Sequence, residues 1–299
     1  MMKFYRVYVE LTNICGLKCS FCPPQLLPTH TMPLSFFEHI LNELSPYTKE
    51  VAYHMGGDPL TLSNLQEYLN VSSKKHFKVL LTTSGYYLAK HNLHTLLHPA
   101  IKQVNISLNS YNKNSMPISF EAYMEPIITL CKLKLANNRE LFINLRLWNM
   151  DEKQSEKDFN EKLFSYLEKA FDIPLNISKI YDEKPRSIRL AEKVLLHFDS
   201  YFEWPALTSP HHSDGTCLGL SSHFGILSNG SVVPCCLDKD GVMTLGNLQT
   251  DTLQNILNTP LTHAIIEGFK QHKAVESLCQ KCHYKERFNT QTDTTTKKF

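Results

Sequence analysis

Three cysteines near the N-terminus have the type and spacing needed to hold a metal cluster. Cys15, Cys19 and Cys22 form a CxxxCxxC pattern just after the first predicted strand. Thiolates are the usual ligands of iron–sulfur clusters. Three thiolates leave one iron of a four-iron cubane open to another ligand, as a catalytic site requires. The alternatives are three unpaired buried cysteines, or a zinc site completed elsewhere in the chain.

A second group of cysteines lies towards the C-terminus. Cys279 and Cys282 form a CxxC that begins 43 residues after Cys236. We predict one four-cysteine site from Cys217, Cys235, Cys279 and Cys282. Cys236 is then the spare thiol, because adjacent residues of a strand point to opposite faces. A structural zinc ribbon is the alternative for this site.

Several other residues that could bind metal are not predicted to be ligands. Cys131 lies in an amphipathic pattern and is interpreted as a small core residue. The histidines near the second group are interpreted as surface or supporting groups. They are His211, His212, His223 and His283.

The chain from residue 5 onwards alternates short β-branched or apolar runs with amphipathic stretches, a pattern typical of repeating strand–helix units on a parallel sheet. Strands are predicted at 7–12, 51–55, 79–82, 103–108, 141–147 and 175–180. Helices are predicted at 35–44, 62–74, 89–97, 119–135 and 155–170. The pattern therefore predicts an α/β fold with six strand–helix units.

This alternation ends near residue 186, and the remaining sequence is organised differently. A helix-like run to residue 202 is followed by a polar loop, and two short apolar runs then flank Asn229-Gly230, a strong signal for a β-hairpin. The last residues are polar and predicted to be disordered. The predicted divisions are a core domain at 1–186, a linker helix and loop at 187–214, a small cysteine-rich module at 215–288 and a tail at 289–299.

The charge balance excludes few classes of function, whereas the pattern at the start of the chain and the length of its apolar runs indicate a compartment. Lys and Arg total 31 and Asp and Glu total 29, so charge gives no support for a nucleic-acid or membrane partner. The start of the chain shows no signal-peptide pattern, and no apolar run is long enough to cross a membrane. We predict a cytoplasmic protein. Because the cytosol disfavours structural disulfides, clustered cysteines there indicate metal binding.

The N-terminal pattern resembles the radical S-adenosylmethionine (SAM) superfamily, whose CxxxCxφC motif is matched with Phe21 as the aromatic residue. The resemblance implies a partial (βα)6 barrel, in agreement with the six units predicted independently. It also implies that the amino and carboxylate groups of SAM chelate the open iron. Reduction of the 4Fe-4S cluster then cleaves SAM to methionine and a 5'-deoxyadenosyl radical, which abstracts a hydrogen atom from the substrate.

Further family motifs follow the predicted strands, where open α/β sheets place ligands. Gly56-Gly57-Asp58-Pro59 resembles the GGEP motif, whose backbone meets the methionine ammonium, although Asp replaces the usual Glu. Stretches at 82–85 and 107–110 resemble TTNG-like and SLDS-like motifs. The resemblance thus implies SAM contacts from Phe21, Gly56, Gly57, Asp58, Thr82, Thr83, Ser84, Ser107 and Asn109.

Arg146, near the end of the fifth predicted strand, occupies a position where relatives place a basic residue against the SAM carboxylate. A guanidinium suits that role, because it can donate two parallel hydrogen bonds to a carboxylate. We predict Arg146 as a SAM-binding and catalytic residue. The alternative is an arginine at the strand rim paired with a nearby acid.

The C-terminal segment resembles the SPASM and twitch extensions of radical SAM enzymes. It lacks the additional cysteines of a full SPASM domain, so the single-cluster twitch arrangement is the closer match. The resemblance implies a second 4Fe-4S cluster that takes an electron from the substrate radical, as in oxidoreductases. A reducing partner such as flavodoxin or ferredoxin is also expected.

The predicted substrate is a peptide or protein, ranked first by its abundance among SPASM relatives. No peptide-recognition domain is evident before Met1, which argues against a leader-peptide mechanism. The alternative substrate is a small molecule such as a polyol or nucleotide. A non-catalytic iron–sulfur or zinc sensor is the alternative of a different class.

Overall fold

The computed structural model describes residues 2–150, 156–201 and 203–289. The strands in these ranges are β1 (Arg6–Val9), β2 (Glu50–Tyr53), β3 (Lys78–Thr83), β4 (Ile101–Ser107), β5 (Phe142–Leu147), β6 (Ser187–Ala191), β7 (Val194–Phe198), β8 (His223–Ile226), β9 (Ser231–Val233) and β10 (Gly246–Asn247). The α-helices are α1 (Leu34–Leu44), α2 (Leu65–Lys74), α3 (Asn109–Asn112), α4 (Phe120–Ala136), α5 (Lys157–Phe171), α6 (Ile177–Glu183), α7 (Leu253–Leu257), α8 (Pro260–Lys270) and α9 (Glu286–Asn289).

Within the described residues the ten strands form one sheet, in the order β10-β9-β8-β1-β2-β3-β4-β5-β7-β6. The strands β1, β2, β3, β4, β5 and β7 run parallel to one another. Most crossovers between them contain helical segments. The predicted α/β fold class with six parallel barrel strands is therefore confirmed.

The two faces of the sheet differ in polarity, as the period of a strand requires. On β5, Ile143, Leu145 and Leu147 are fully buried in the apolar core. Asn144 and Arg146 face the other side of the strand. There the Asn144 amide donates to Asn105 at 3.1 Å, and the Asn105 amide donates to Thr82 at 3.2 Å. A polar interior face is thus built across three strands.

The sheet is strongly curved. Tyr8 on β1 and Arg146 on β5 are separated by three intervening strands, which in a flat sheet would place them about 19 Å apart. Arg146 nevertheless interacts electrostatically with both Tyr8 and Arg6. Polar residues of the inner face therefore surround one opening, as in a partial barrel.

Two predictions about the last barrel strand are wrong. The segment 175–180 is not a strand, because Asn176 caps helix α6 by accepting the backbone N–H of Lys179 at 2.9 Å. The linker helix predicted from residue 187 is also wrong, since β6 and β7 form an antiparallel hairpin there. Lys193, with φ of 56°, lies in its turn. The sixth parallel strand is β7.

Among the other predicted elements, one helix and the hairpin are confirmed and one helix is not. The 119–135 helix is α4, capped by the Ser119 hydroxyl, which accepts the Ala122 N–H at 3.1 Å. The predicted helix at 89–97 is replaced by 3-10 turns at Leu88–Lys90 and Leu93–Leu97. The predicted hairpin is confirmed as β8 and β9. Residues 290–299 of the predicted disordered tail lie outside the described residues, as do 151–155.

The C-terminal segment continues the barrel sheet. Strand β8 pairs in parallel with β1, with Arg6 opposite His223 and Val9 opposite Ile226. The hairpin with the cysteine pair is thereby fixed beside the first barrel strand. The domain boundaries given above remain predictions. Among the helices described, none has the length and apolar character needed to cross a membrane.

Candidate functional site

The N-terminal cysteine loop brings its three thiols together. The Cys22 thiol is hydrogen-bonded to Cys19, and the Cys22 N–H donates to the Cys19 carbonyl at 2.9 Å. Cys15 interacts electrostatically with Cys19 and Cys22. The loop therefore presents the predicted ligands as one group after β1.

Asn114, which the sequence analysis missed, supports this loop. Its amide donates to the Cys19 sulfur at 2.9 Å and to the Ser110 carbonyl at 2.8 Å. Its Oδ1 accepts the Lys18 N–H at 2.9 Å. Asn114 and Cys19 are 95 residues apart in the chain, so no local pattern could have indicated the contact.

The protein environment treats the three thiols differently. Hydrogen bonds from Cys22, and further ones with Asn114 and Ser110, lower the pKa of Cys19 to about 6. Burial, reinforced by the nearby Asp58, raises the pKa of Cys15 to about 12. A thiolate is the form that binds metal. The hydrogen bond between Cys22 and Cys19 lowers the pKa of Cys19 and raises that of Cys22, and the three grouped thiols fit an iron–sulfur cluster.

The glycine pair after β2 allows the next turn to pack against the cysteine loop. A Cβ on Gly57 would lie 2.1 Å from the Thr12 carbonyl oxygen and 2.8 Å from the Asn13 carbonyl carbon. The Asp58 N–H also donates to the Ile14 carbonyl at 3.0 Å. Glycine is required at this close approach of two backbones.

Asp58 joins this turn to the end of β3. Its buried carboxylate accepts the Thr83 hydroxyl at 3.0 Å, and the Ser84 N–H and hydroxyl at 2.8 and 2.6 Å. It also accepts the Leu60 N–H at 3.0 Å. Burial raises the pKa of Asp58, while these hydrogen bonds oppose the rise. The hydroxyls of Thr83 and Ser84, predicted to contact SAM, here bind Asp58.

Glu10 is a second buried carboxylate that the sequence analysis missed. It accepts the Gly56 N–H at 2.9 Å, and the Ser228 N–H and hydroxyl at 3.0 and 2.9 Å. Burial raises its pKa, against the effect of the same hydrogen bonds. Glu10 therefore connects β1, the glycine turn and the C-terminal hairpin. The sequence feature that could have identified Glu10 is a single acidic residue at the end of an apolar strand.

The other predicted SAM contacts lie on the inner face or at its edge. Asn109 is 1% exposed, and its Oδ1 accepts the Trp148 N–H at 2.7 Å. Ser107 ends β4, where its carbonyl accepts the Tyr123 hydroxyl at 3.3 Å. The Phe21 ring packs against Tyr201, with centroids 5.2 Å apart. Asn109 thus holds the end of β5 in place.

Arg146 lies within the polar opening of the barrel. Its guanidinium carbon is 5.2 Å from the centre of the Trp148 ring. Desolvation lowers the pKa of Arg146 to about 10. Desolvation, together with the charge of Arg146, also lowers the pKa of His54 to about 4. Arg146 also interacts with Tyr8 and Asp199. The position suits recognition of an anionic group.

The four predicted C-terminal ligands surround one cavity. Cys217, Cys235, Cys279 and Cys282 all line it, together with Lys285. Burial, together with a smaller contribution from the neighbouring Cys235, raises the pKa of Cys217 to about 12. Four thiols at one cavity match the ligand set of a closed iron–sulfur site.

Cys236 is not among the residues that line this cavity, although its thiol is hydrogen-bonded to that of Cys235. It packs with Met55 and Tyr8 and hydrogen-bonds to the Tyr8 phenol. Cys235 lines the cavity, and its thiol is hydrogen-bonded to both Cys236 and His223. The two adjacent thiols are therefore in contact, and it is the lining of the cavity that favours Cys235 as the proposed ligand. Cys131 is fully buried in α4 and belongs to the core.

Two of the neighbouring histidines form a small cluster of their own. The rings of His212 and His283 are 4.7 Å apart. The Glu286 Oε1 atom lies 3.7 Å from Nε2 of His212 and 3.0 Å from Nδ1 of His283. This cluster flanks the CxxC turn.

Comparison with known families matches two segments of the chain. Residues 9–152 match the radical SAM superfamily, and residues 217–283 match SPASM, an iron–sulfur cluster-binding domain. The predicted cofactors are therefore confirmed: a 4Fe-4S cluster with SAM, and an auxiliary iron–sulfur cluster. Which residues hold them remains a prediction.

One curated relative aligns along most of the chain. The antilisterial bacteriocin subtilosin biosynthesis protein AlbA of Bacillus subtilis (strain 168) is 25% identical over 292 residues. The alignment covers 91% of this chain and 64% of AlbA, so the chain spans slightly less than two thirds of that relative's length.

Solved structures show the same fold. BtrN in complex with AdoMet and 2-DOIA gives a TM-score of 0.60 at 16% identity, covering 95% of this chain and 94% of BtrN. Streptococcus suis SuiB bound to precursor peptide SuiA gives 0.59 at 14% identity, covering 97% and 74%. These likenesses show the fold, and the two matched segments give the family: the chain carries a radical SAM domain at residues 9–152 and a SPASM domain at residues 217–283.

Proposed function

We propose that this protein is a radical SAM enzyme that oxidatively modifies a peptide or protein. The observation that carries the proposal is the pair of thiol groups: three grouped cysteines at the polar opening of the barrel, and four around a separate cavity. An incomplete set of three ligands leaves room for a cofactor on the cluster. A complete set of four closes the second site.

Each part of the N-terminal site has a proposed role. Cys15, Cys19 and Cys22 hold the catalytic cluster, and Gly57 allows the turn to approach it. Arg146 binds the SAM carboxylate from the inner face of the barrel. Bound there and reduced, the cluster and SAM supply a 5'-deoxyadenosyl radical that abstracts a hydrogen atom from the substrate. The buried inner face shields this reaction from water.

The C-terminal cysteines complete the oxidative part of the proposal. Cys217, Cys235, Cys279 and Cys282 would hold the auxiliary cluster, which would supply an acceptor for one electron of the substrate radical. A cytoplasmic reductant such as flavodoxin or ferredoxin supplies the electron for SAM cleavage. Because four thiols surround this cavity, a cluster held there would have no iron open to SAM.

A peptide is favoured as substrate by the relatives. AlbA is named for the biosynthesis of a bacteriocin, and SuiB was solved with its precursor peptide. The second candidate is a small molecule, which is supported by the likeness to BtrN in complex with 2-DOIA. A non-catalytic sensor is a third candidate, and the assay of SAM cleavage described next separates it from both enzymes.

The test is anaerobic reconstitution with iron and sulfide, followed by dithionite and SAM. We expect 5'-deoxyadenosine from the parent protein and none from Cys19→Ala. Cys131→Ala is the matched control, because that thiol is buried in α4 and should leave the activity unchanged. An iron-loaded parent protein that forms no 5'-deoxyadenosine would exclude an enzyme of this class.

Substrate class is tested separately. Peptides encoded beside the gene and small polyols, each deuterated at carbon, are incubated with the reconstituted protein. Transfer of deuterium into 5'-deoxyadenosine identifies the molecule that loses the hydrogen atom. Transfer from the polyols alone would contradict the peptide proposal while leaving the radical chemistry intact.

A further inference from the structure

A buried lysine lies beside the CxxC turn of the C-terminal cavity. Lys285 is 2% exposed and lines the cavity with Cys279 and Cys282. Its Nζ donates to the backbone carbonyl of Cys279 at 2.9 Å and to that of Cys282 at 3.3 Å. The backbone of both CxxC cysteines is therefore held by one side chain.

The hydrogen-bond pattern matches that of a charged ammonium. A third carbonyl, that of His212, accepts from Nζ at 2.7 Å. An ammonium has three donors and no acceptor, so three carbonyls use all of its protons. Its other polar contact within the described ranges is the His212 ring, at 3.4 Å. No carboxylate in those ranges forms an ion pair with Lys285.

A cation in this position has a definite effect on a cluster held by the four thiols. Reduction adds negative charge to a group already bound by thiolates, and cluster potentials depend on local charge, hydrogen bonds and solvent exposure. Charges interact more strongly in the protein interior than in water. A buried positive charge therefore favours the reduced form over the oxidised form.

We propose that Lys285 raises the reduction potential of the auxiliary cluster and so makes it a better electron acceptor. Lys285 acts through the cluster and does not touch the substrate. The inference rests on the proposed function, in which a substrate radical gives up one electron to the oxidised cluster and one proton to solvent. The substrate thereby becomes a closed-shell product, and the cluster is reduced by one electron.

The experiment isolates the auxiliary cluster in the full chain. A parent carrying Cys15→Ala, Cys19→Ala and Cys22→Ala is reconstituted, and its metal content is measured. Its midpoint potential is then determined by a redox titration followed by electron paramagnetic resonance. Lys285→Met and Lys285→Gln remove the charge, Lys285→Arg keeps it, and Lys281→Met is the matched control. Lys281 lies in the same turn, but its Nζ donates to the Ser209 carbonyl at 2.8 Å.

We expect a lower potential in both neutral variants and near-parental values in Lys285→Arg and Lys281→Met. A neutral variant that keeps its iron at an unchanged potential would overturn the proposal. So would equal shifts in Lys285→Arg and Lys285→Met, since packing rather than charge would then explain them. Loss of iron from both neutral variants but not from Lys285→Arg would also reject it, and would assign Lys285 to holding the turn.

Failure of the proposed function gives a different result. If the parent variant binds zinc instead of iron, the auxiliary cluster itself is wrong, and metal analysis shows this before any substitution of Lys285. If the parent variant binds iron but its reduction potential does not depend on the charge of Lys285, only this inference is rejected and the proposed function stands.

Discussion

Asp58 shows how a single residue can keep a motif while changing its contacts. The GGEP motif of the family carries glutamate at this position, and the shorter Asp58 reaches the Thr83 hydroxyl and the Ser84 N–H and hydroxyl. These groups follow β3, so the carboxylate joins two turns of the SAM region. The motif could be predicted from the sequence, but the partners of its acid could not.

Replacing Asp58 should therefore destabilise the fold as well as the site. Asp58→Ala leaves buried donors of Thr83, Ser84 and Leu60 without their acceptor, and each unsatisfied donor costs about 1–3 kcal/mol. We expect a loss of about 2–4 kcal/mol in the free energy of unfolding, because some donors will find water. Urea unfolding measures it. The exposed Asp182→Ala serves as control, and a loss equal to that of the control would contradict the network.

Arg146 offers a residue-level test of SAM recognition. If its guanidinium binds the SAM carboxylate in the desolvated barrel opening, Arg146→Ala should weaken SAM binding by about 2–5 kcal/mol. Titration calorimetry with the reconstituted protein measures the affinity. Arg189→Ala is the matched control, since that arginine is exposed on β6. Unchanged affinity in Arg146→Ala would leave the guanidinium with its alternative role, pairing with an acid.

At the scale of elements, strands and helices with one clear hydrophobic pattern could be predicted from the sequence. Segments whose pattern suits both a strand and a helix could not. The first five strands were predicted because their apolar runs are separated by clear helical stretches. The segment 175–180 has similar apolar content, but a cap at Asn176 makes it helical. The true sixth strand, β7, alternates buried and partly exposed residues, with Val194, Leu196 and Phe198 on one face. That alternation was the signal to use.

Glu10 connects three elements, and its replacement tests that connection. Glu10→Gln puts an amide N–H₂ against either the Gly56 or the Ser228 N–H, so one buried donor loses its acceptor. We expect about 1–3 kcal/mol of destabilisation, with faster hydrogen exchange at the Gly56 and Ser228 amides. Exchange measured by NMR or mass spectrometry distinguishes this from a general loss. Glu183→Gln, exposed on α6, is the control. Unchanged exchange at both amides would refute the connection.

At the scale of the whole molecule, the SPASM segment and the barrel share one sheet. Parallel pairing of β8 with β1 places the Cys235–Cys236 pair next to the first barrel strand. Tyr8 on that strand reaches both Arg146 inside the barrel and Cys236 outside the four-thiol cavity. The cysteine spacing predicted two sites, but long-range pairing of strands, which leaves no local pattern, determines how near they lie.

This arrangement allows the two sites to be separated by mutation. Cys279→Ala removes one of four thiols from the C-terminal cavity, so about four irons should be lost. The N-terminal thiols lie on a different loop, and the variant should still cleave SAM to 5'-deoxyadenosine. Product formation from substrate should stop, because the electron of the substrate radical has no acceptor. Iron analysis and chromatography of both products measure the two effects.

Cys236→Ala tests the choice of ligand, since the Cys236 thiol is hydrogen-bonded both to Cys235, a proposed ligand, and to Tyr8. It should keep all its iron, because Cys235 and not Cys236 lines the cavity with the other three thiols. Iron loss from Cys236→Ala with retention in Cys235→Ala would reverse the assignment of the ligand. Full iron content in Cys279→Ala would instead show that the C-terminal cavity holds no cluster, and the oxidative step would then need another acceptor.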